Sequence, residues 1–273
     1  MTASVSAGGR VASDKSEGAM TDTEVAEAVF AAMREDRVRL RFEPVCSAVD
    51  GSVVLYHECL PEVTDATGQP IGPVTFVPAL QRLDLIRAYD RYVVRRVIGL
   101  LRSTAAIRLG VNISGRSAVL DVIWEAALLW LAFEPSIAAR LVVEITETEP
   151  VARGRARVFA DRLRAAGCLV AIDDFGAGYG VDTAMEIRSP DIIKIDASFV
   201  TAADGNASAQ ARLKRIVSMA ASIADAVVVE GVQSESQFAS AKAAGATWVQ
   251  GHLIAAQYRS KSTEPALSGI AFY

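Results

Sequence analysis

Cysteine is scarce in this sequence. Cys46, Cys59 and Cys168 are odd in number, scattered and without metal-ligand spacing, so neither a disulfide framework nor a thiolate metal site is expected, and a reducing compartment fits. Cys168 lies inside an apolar run and reads as a small buried hydrophobe. Long apolar runs are lacking too. A membrane helix needs about 18 uninterrupted apolar residues, and the best stretch, 119–133, is broken by Asp121 and Glu125. The N-terminus has no hydrophobic signal core, so a cytoplasmic location and no membrane partner are expected. An excess of basic residues is also missing. The formal net charge is -4, which argues against long nucleic acid held through its phosphates. A small anionic ligand remains compatible if metals or a few local cations receive it.

What is present is a normal globular interior. Hydrophobic residues are 51% of the 273, and charged residues 22%, enough for one large α/β domain with a real core. Residues 1–20 are rich in Ser, Gly, Ala and Thr and read as a disordered tail, because they have too little apolar surface to offset ordering entropy. A helix is expected over 21–35, capped by Thr21, Asp22 or Thr23. The folded domain is assigned to 21–273 with its core at about 38–257, and 258–273 reads as irregular.

Short apolar runs alternate with helical patterns between those limits. Strands are predicted over 39–45, 52–60, 107–113, 141–146, 168–172, 191–195, 226–229 and 247–249. The first two are joined by Val49-Asp50-Gly51, a link with Asp-Gly hairpin chemistry, so the first strand should run antiparallel to the second. The rest read as βα units with parallel pairing. The fold class expected is α/β, a modified (β/α)8 TIM-like barrel.

Polar residues recur at the C-terminal ends of these strands: Glu58, Asn112, Glu144, Asp173-Asp174, Lys194, Glu230 and Gln250. A single acid at such a place is usually solvated or caps a helix. Seven strands placing polar groups at one rim, where parallel barrels carry their active sites, is a different signal. Several of these acids follow apolar runs, and packing them together is costly unless cations join them. An all-oxygen set with one amide suits Mg2+ or Mn2+. Five acids can hold two such ions, and paired ions about 3.5–4 Å apart are a known device for displacement at phosphoryl centres. The segment Asp173-Asp174-Phe175-Gly176-Ala177-Gly178-Tyr179-Gly180 fits a metal-ligating strand end that runs into a closely approaching loop.

These motifs, in this order, resemble the EAL-domain cyclic-di-GMP phosphodiesterases from about Arg41 to Gln257. The marks are Glu58-Cys59-Leu60, Val-Asn112-Ile-Ser, Glu144-Ile-Thr-Glu147, Asp-Asp-Phe-Gly-Ala-Gly-Tyr, Lys194-Ile-Asp196-Ala-Ser-Phe199-Val, Glu230-Gly-Val and Gln250-Gly. The resemblance implies hydrolysis of cyclic-di-GMP to linear pGpG with two Mg2+ or Mn2+ ions. It implies Glu58, Asn112, Glu144 and Asp173 as ligands of one ion, and Asp173 with Asp174 as ligands of the other. Glu230 would help hold the metals and act as base, and Lys194 would orient water and screen phosphate charge. Gln250 and Asp196 would act from the edge, Asp196 and Leu60 lying on the substrate side. Asp90 would contact a guanine edge, and Glu147 would anchor the loop after Asp174.

Several positions depart from the family pattern. Glu62 stands where the family usually has a phosphate-contacting Arg, Glu43 where Gln is common, Gln233 in place of a second Glu, and Gly180 in place of Ser. The metal set is intact while the ligand-holding periphery is altered. That leaves three readings: an active phosphodiesterase, a degenerate module that binds cyclic-di-GMP or another nucleotide and signals through a protein partner, and an unrelated metal-dependent barrel enzyme. A homodimer and a regulatory protein partner are compatible with the sequence, which fixes neither.

Overall fold

A twisted sheet leaves two unpaired edges, and in this chain the edges meet. The computed structural model describes residues 20–146, 150–178 and 180–261. Its elements run α1 (Asp22–Arg34), β1 (Val38–Ser47), β2 (Val54–Thr64), β3 (Pro70–Ile71), α2 (Pro73–Arg82), α3 (Ile86–Ser103), β4 (Leu109–Ser114), α4 (Val122–Phe133), α5 (Pro135–Ala138) and β5 (Leu141–Thr146). They continue with α6 (Arg155–Ala165), β6 (Leu169–Phe175), α7 (Gly180–Ile187), β7 (Ile192–Ile195), α8 (Ala197–Ala203), α9 (Ala207–Ala221), β8 (Ala226–Val229), α10 (Glu235–Ala244), β9 (Trp248–Val249) and α11 (His252–Lys261). Strands β2, β4, β5, β6, β7, β8 and β9 pair in parallel in that order. β1 is antiparallel to both β2 and β9, which closes an eight-stranded barrel. Closure removes the exposed edges of the barrel wall, and β3 adds only a short antiparallel pairing to the end of β2.

The antiparallel first strand follows from its turn, where Gly51 takes φ +63. The expected first helix starts at Asp22 and is capped by Thr21, which forms a capping box with Glu24. The apolar stretch 119–133 becomes the 12-residue α4, capped by Asp121 through Ile123 and Trp124 N–H. No helix among the described residues is long and apolar enough to cross a membrane. Cys46, Cys59 and Cys168 are free and buried. The region read as irregular from 258 begins instead inside α11, which runs to Lys261. The assigned tail over 1–19 and the stretch 262–273 lie outside the described residues.

Strand residues alternate between two faces, and the barrel uses that parity. One face packs on the helices. The other builds a small interior cluster of Val45, Tyr56, Val142, Ala171, Ile192 and Val228, all buried. Two residues beyond Tyr56, Val142, Ala171, Ile192 and Val228, on the same inward face, come Glu58, Glu144, Asp173, Lys194 and Glu230. The polar layer therefore stands directly on an apolar plug, at the C-terminal end of the parallel strands.

Candidate active site

Lys194 is the centre of the polar layer. It is fully buried, and its Nζ lies 3.0 Å from Glu58 Oε2, 2.8 Å from Glu144 Oε2, 3.1 Å from Asp173 Oδ1 and 2.8 Å from Glu230 Oε1. Three of those acids lie in three different strands and Glu230 directly follows a fourth, so barrel formation brings them together. Asn112 and Gln250 each donate a side-chain N–H to Glu58.

Asp173 and Asp174 are neighbours, so a regular strand would point them to opposite faces. The β6–β7 register slips by one residue between Ile172 and Phe175, which puts both acids in a bulge, with Asp174 at φ +55. Bulges re-aim side chains in this way. Asp173 consequently belongs to two acid triads whose ligand atoms lie within 4.8 Å of one another, Glu58–Glu144–Asp173 and Asp173–Asp174–Glu230. Just beyond, Gly176 takes φ +99, and a Cβ there would come within 2.8 Å of the Phe199 ring.

The electrostatics show what this cluster lacks. Five carboxylates and one ammonium leave four negative charges when all are ionised, the charge of two divalent cations. Without such cations, burial pushes Glu144 up to about 8, with Glu58 and Asp173 adding to the shift. Burial and the adjacent Asp173 push Asp174 up to about 7, and Glu230 goes well above the carboxylate range for the same two reasons. Burial also opposes ionisation of Glu58, but Lys194 and the two amide donors outweigh it. Lys194 is the reverse case: burial disfavours its charge, and the surrounding carboxylates hold its pKa well above the usual value. Asn112 Oδ1, Glu144 Oε1 and Gln250 Oε1 are buried with no hydrogen-bond partner in the protein. Oxygen atoms left in this state beside an excess of negative charge fit hard divalent cations, so the residues could hold metal.

A cleft of about 840 Å³ opens beside the acids. Its walls include Arg41, Leu60, Glu62, Asp90, Asn112 and Asp174, so Leu60 and Asp90 are brought to the same cleft as two of the acid-cluster residues. Asp90 is buried and accepts from Ser114 N–H (2.9 Å) and Ser117 O–H (2.6 Å), although burial pushes its carboxyl up to about 6. Asp196 caps α8 by accepting from Ser198 N–H at 3.0 Å and adds to the negative field at Asp174. Glu43 faces Glu58 across the β1–β2 pair, and burial followed by that neighbour raises its carboxyl. Glu147 lies outside the described residues, as does Tyr179.

Two further partners border the site, the first of them a rim arginine of the kind that the sequence allows as a partner for Glu62. Glu62 makes an ion pair of 3.7 Å with Arg41 from the neighbouring strand. Tyr56, which strand parity puts in line with Glu58, donates its hydroxyl to Glu144 Oε2 at 3.2 Å. The parity was readable in advance, whereas the reach of the ring to the next acid depends on barrel curvature.

Comparison with known proteins follows the same outline. The EAL domain matches residues 26–257. NbdA of Pseudomonas aeruginosa, named a cyclic di-GMP phosphodiesterase, is 28% identical over 251 residues, covering 86% of this chain and 31% of NbdA. PdeF of Escherichia coli, also named a cyclic di-GMP phosphodiesterase, is 27% identical over 206 residues, covering 73% of this chain and 27% of PdeF. The chain thus spans less than a third of the length of either relative. Among solved structures, the FimX EAL domain from Pseudomonas aeruginosa bound to c-di-GMP superposes with a TM-score of 0.67 at 26% identity, covering 84% of this chain and 93% of FimX. Vibrio cholerae LapD bound to c-di-GMP gives 0.76 at 21% identity, covering 89% of this chain and 60% of LapD, a likeness of fold. The closed barrel with one reversed strand, the acid cluster on its rim and a domain match over nearly all the described residues lead to one assignment: the chain belongs to the EAL domain family.

Proposed function

We propose that this protein is a metal-dependent phosphodiesterase that hydrolyses cyclic-di-GMP to linear pGpG, using two Mg2+ or Mn2+ ions. The observation that carries the reading is the complete acid cluster around Lys194, with Asp173 common to two ligand triads. Glu58, Asn112, Glu144 and Asp173 would hold one ion, and Asp173, Asp174 and Glu230 the other. When bound, the ions supply charge for the phosphoryl oxygens and favour a water nucleophile at neutral pH.

The chain's own groups do the rest. Leu60 and Asp90 hold the dinucleotide in the cleft, Asp90 as acceptor for a guanine N–H edge. Lys194 orients the attacking water and offsets negative charge as it develops on phosphate. Glu230 takes the proton of that water, its carboxylate lying at the rim 2.8 Å from Lys194 Nζ. Gln250 and Asp196 position water and metal ligands from the edge. Water adds across one phosphodiester bond and the second stays intact, giving the linear product. Purified protein with Mn2+ and cyclic-di-GMP, its products separated by chromatography, tests this directly. Linear pGpG is expected, and intact substrate would overturn the hydrolase reading.

One observation favours a second reading, a module that binds cyclic-di-GMP and signals through a protein partner. Glu62 puts a negative charge on the cleft wall, although Arg41 beside it partly compensates. Binding without hydrolysis in the same assay would select that reading. Because an exposed ion pair contributes only about 0–1 kcal/mol, Glu62→Arg should not disturb the fold. It should lower the apparent KM or Kd for cyclic-di-GMP about threefold to tenfold at low salt, through charge-assisted bonds to phosphate. The gain should fade as salt rises. Unchanged affinity at low salt would show that Glu62 does not face the ligand.

A further inference from the structure

Among the six buried side chains of the apolar plug under the acid cluster, one carries a polar atom, the hydroxyl of Tyr56. Its ring is 1% exposed and lies among Val45, Val142, Ala171, Ile192 and Val228. A tyrosine is a poor choice for such a place unless its hydroxyl finds a partner. It does, donating to Glu144 Oε2 at 3.2 Å. Lys194 Nζ meets the same oxygen at 2.8 Å. Glu144 is fully buried, and its other oxygen has no hydrogen-bond partner in the protein.

The room for this arrangement comes from β4. Gly110 lies in line with Asn112 on the inward face. A Cβ at 110 would overlap Glu144 Oε1 and come within 2.6 Å of the Tyr56 ring. Gly110 keeps ordinary backbone dihedrals, so conformational freedom does not call for glycine at 110. Empty space does. Three residues on three adjacent strands, β2, β4 and β5, therefore fit one another: a large ring, a missing side chain and a carboxylate laid over both.

We propose that Tyr56 is a positioning residue of the metal centre, orienting the Glu144 carboxylate through its hydroxyl in space that Gly110 leaves open. The inference rests on the reading of Glu144 as a metal ligand. Partners that orient metal-ligating carboxylates typically change metal affinity about 10–100-fold when lost. The Tyr56 ring is held by its apolar neighbours and not by Lys194, so its hydroxyl would still face Glu144 with metal bound.

Tyr56→Phe removes one oxygen and keeps the ring, and Gly110→Ala presses on the same carboxylate from the other side. Calorimetric titration of Mn2+ into the full chain and each variant is the test, with thermal melts of the metal-free proteins alongside. Both variants are expected to bind Mn2+ about tenfold more weakly. Tyr56→Phe should melt close to the parent, and its hydrolysis should recover as Mn2+ is raised. Parent-like Mn2+ affinity in Tyr56→Phe would overturn the inference, as would lost hydrolysis that no Mn2+ concentration restores. Should Tyr56→Phe not fold, parent-like affinity in Gly110→Ala would overturn it equally. If the parent itself binds no Mn2+, the metal reading of the whole site fails, an outcome separable from failure at Tyr56.

Discussion

Asp173→Asn is expected to abolish or strongly weaken Mn2+ binding at both sites and to lower hydrolysis of cyclic-di-GMP by about a thousandfold or more. Every other acid in the cluster belongs to one ligand triad, and Asp173 belongs to both. The amide is nearly isosteric with the carboxyl but removes a negative charge and half of its acceptor capacity. Since loss of an outer partner alone costs about 10–100-fold in metal affinity, loss of a shared ligand should exceed that. Calorimetry and product chromatography on the same protein sample check the two halves. Parent-like Mn2+ binding by the variant would remove Asp173 from the centre, and with it the two-ion arrangement.

Lys194→Ala should produce the largest loss of stability. The parent ammonium lies within 3.1 Å of four carboxylates, of which Glu58, Glu144 and Asp173 are buried and Glu230 partly so. Breaking such a buried network by removing one partner costs about 3–5 kcal/mol, which for a domain of this size is a fall in Tm on the order of 10 °C. The metal-free variant should also prefer acid. Glu144 and Asp174 titrate higher folded than unfolded even in the parent, at about 8 and about 7. A carboxyl with a raised folded pKa binds its proton more tightly in the native state, so stability falls as pH rises from about 4 towards 8. Taking away the cation should steepen that slope. Mn2+ should restore most of the lost Tm at pH 8, where the acids are free to ligate, while hydrolysis should stay low, as the role proposed for Lys194 requires. A metal-free variant that melts like the parent at pH 8 would mean that Lys194 does not neutralise the cluster.

Much of this was legible before any coordinates. The acids at 58, 144, 173 and 230 could be put on one rim because each falls at the C-terminal end of a strand read as one wall of a parallel barrel. The Asp-Gly link at 50–51 announced the reversed first strand. The bulge at Asp173-Asp174 was less accessible. Two adjacent acids before a glycine suggested a special strand end, but strict alternation would have sent one of them away from the site. Lys194 illustrates a different gap. The sequence offered it as a partner for water, whereas the folded barrel puts it on four carboxylates at once, because its long side chain crosses the interior from β7. Glu62 was readable as a reversed charge that could pair with an arginine of the rim, but which arginine was not. In the β1–β2 register Arg41 lies opposite Leu60 and Arg39 opposite Glu62, so the ion pair is diagonal.

The acid cluster is also a matter of timing during synthesis. Glu58 meets Lys194 across 136 residues and Gln250 across 192. As the chain emerges, Glu58, Glu144 and Asp173 are all present well before Lys194. Gln250 and the β9 strand that closes the barrel come later still. Contacts this far apart in sequence form slowly, since a long loop must close before any gain is made. Until residue 194 is made, Glu58, Glu144 and Asp173 lack the ammonium that neutralises them in the complete fold. The full set of groups that surround Glu58 is thus present only once residue 250 has been made, because Gln250 is the last of them in the chain.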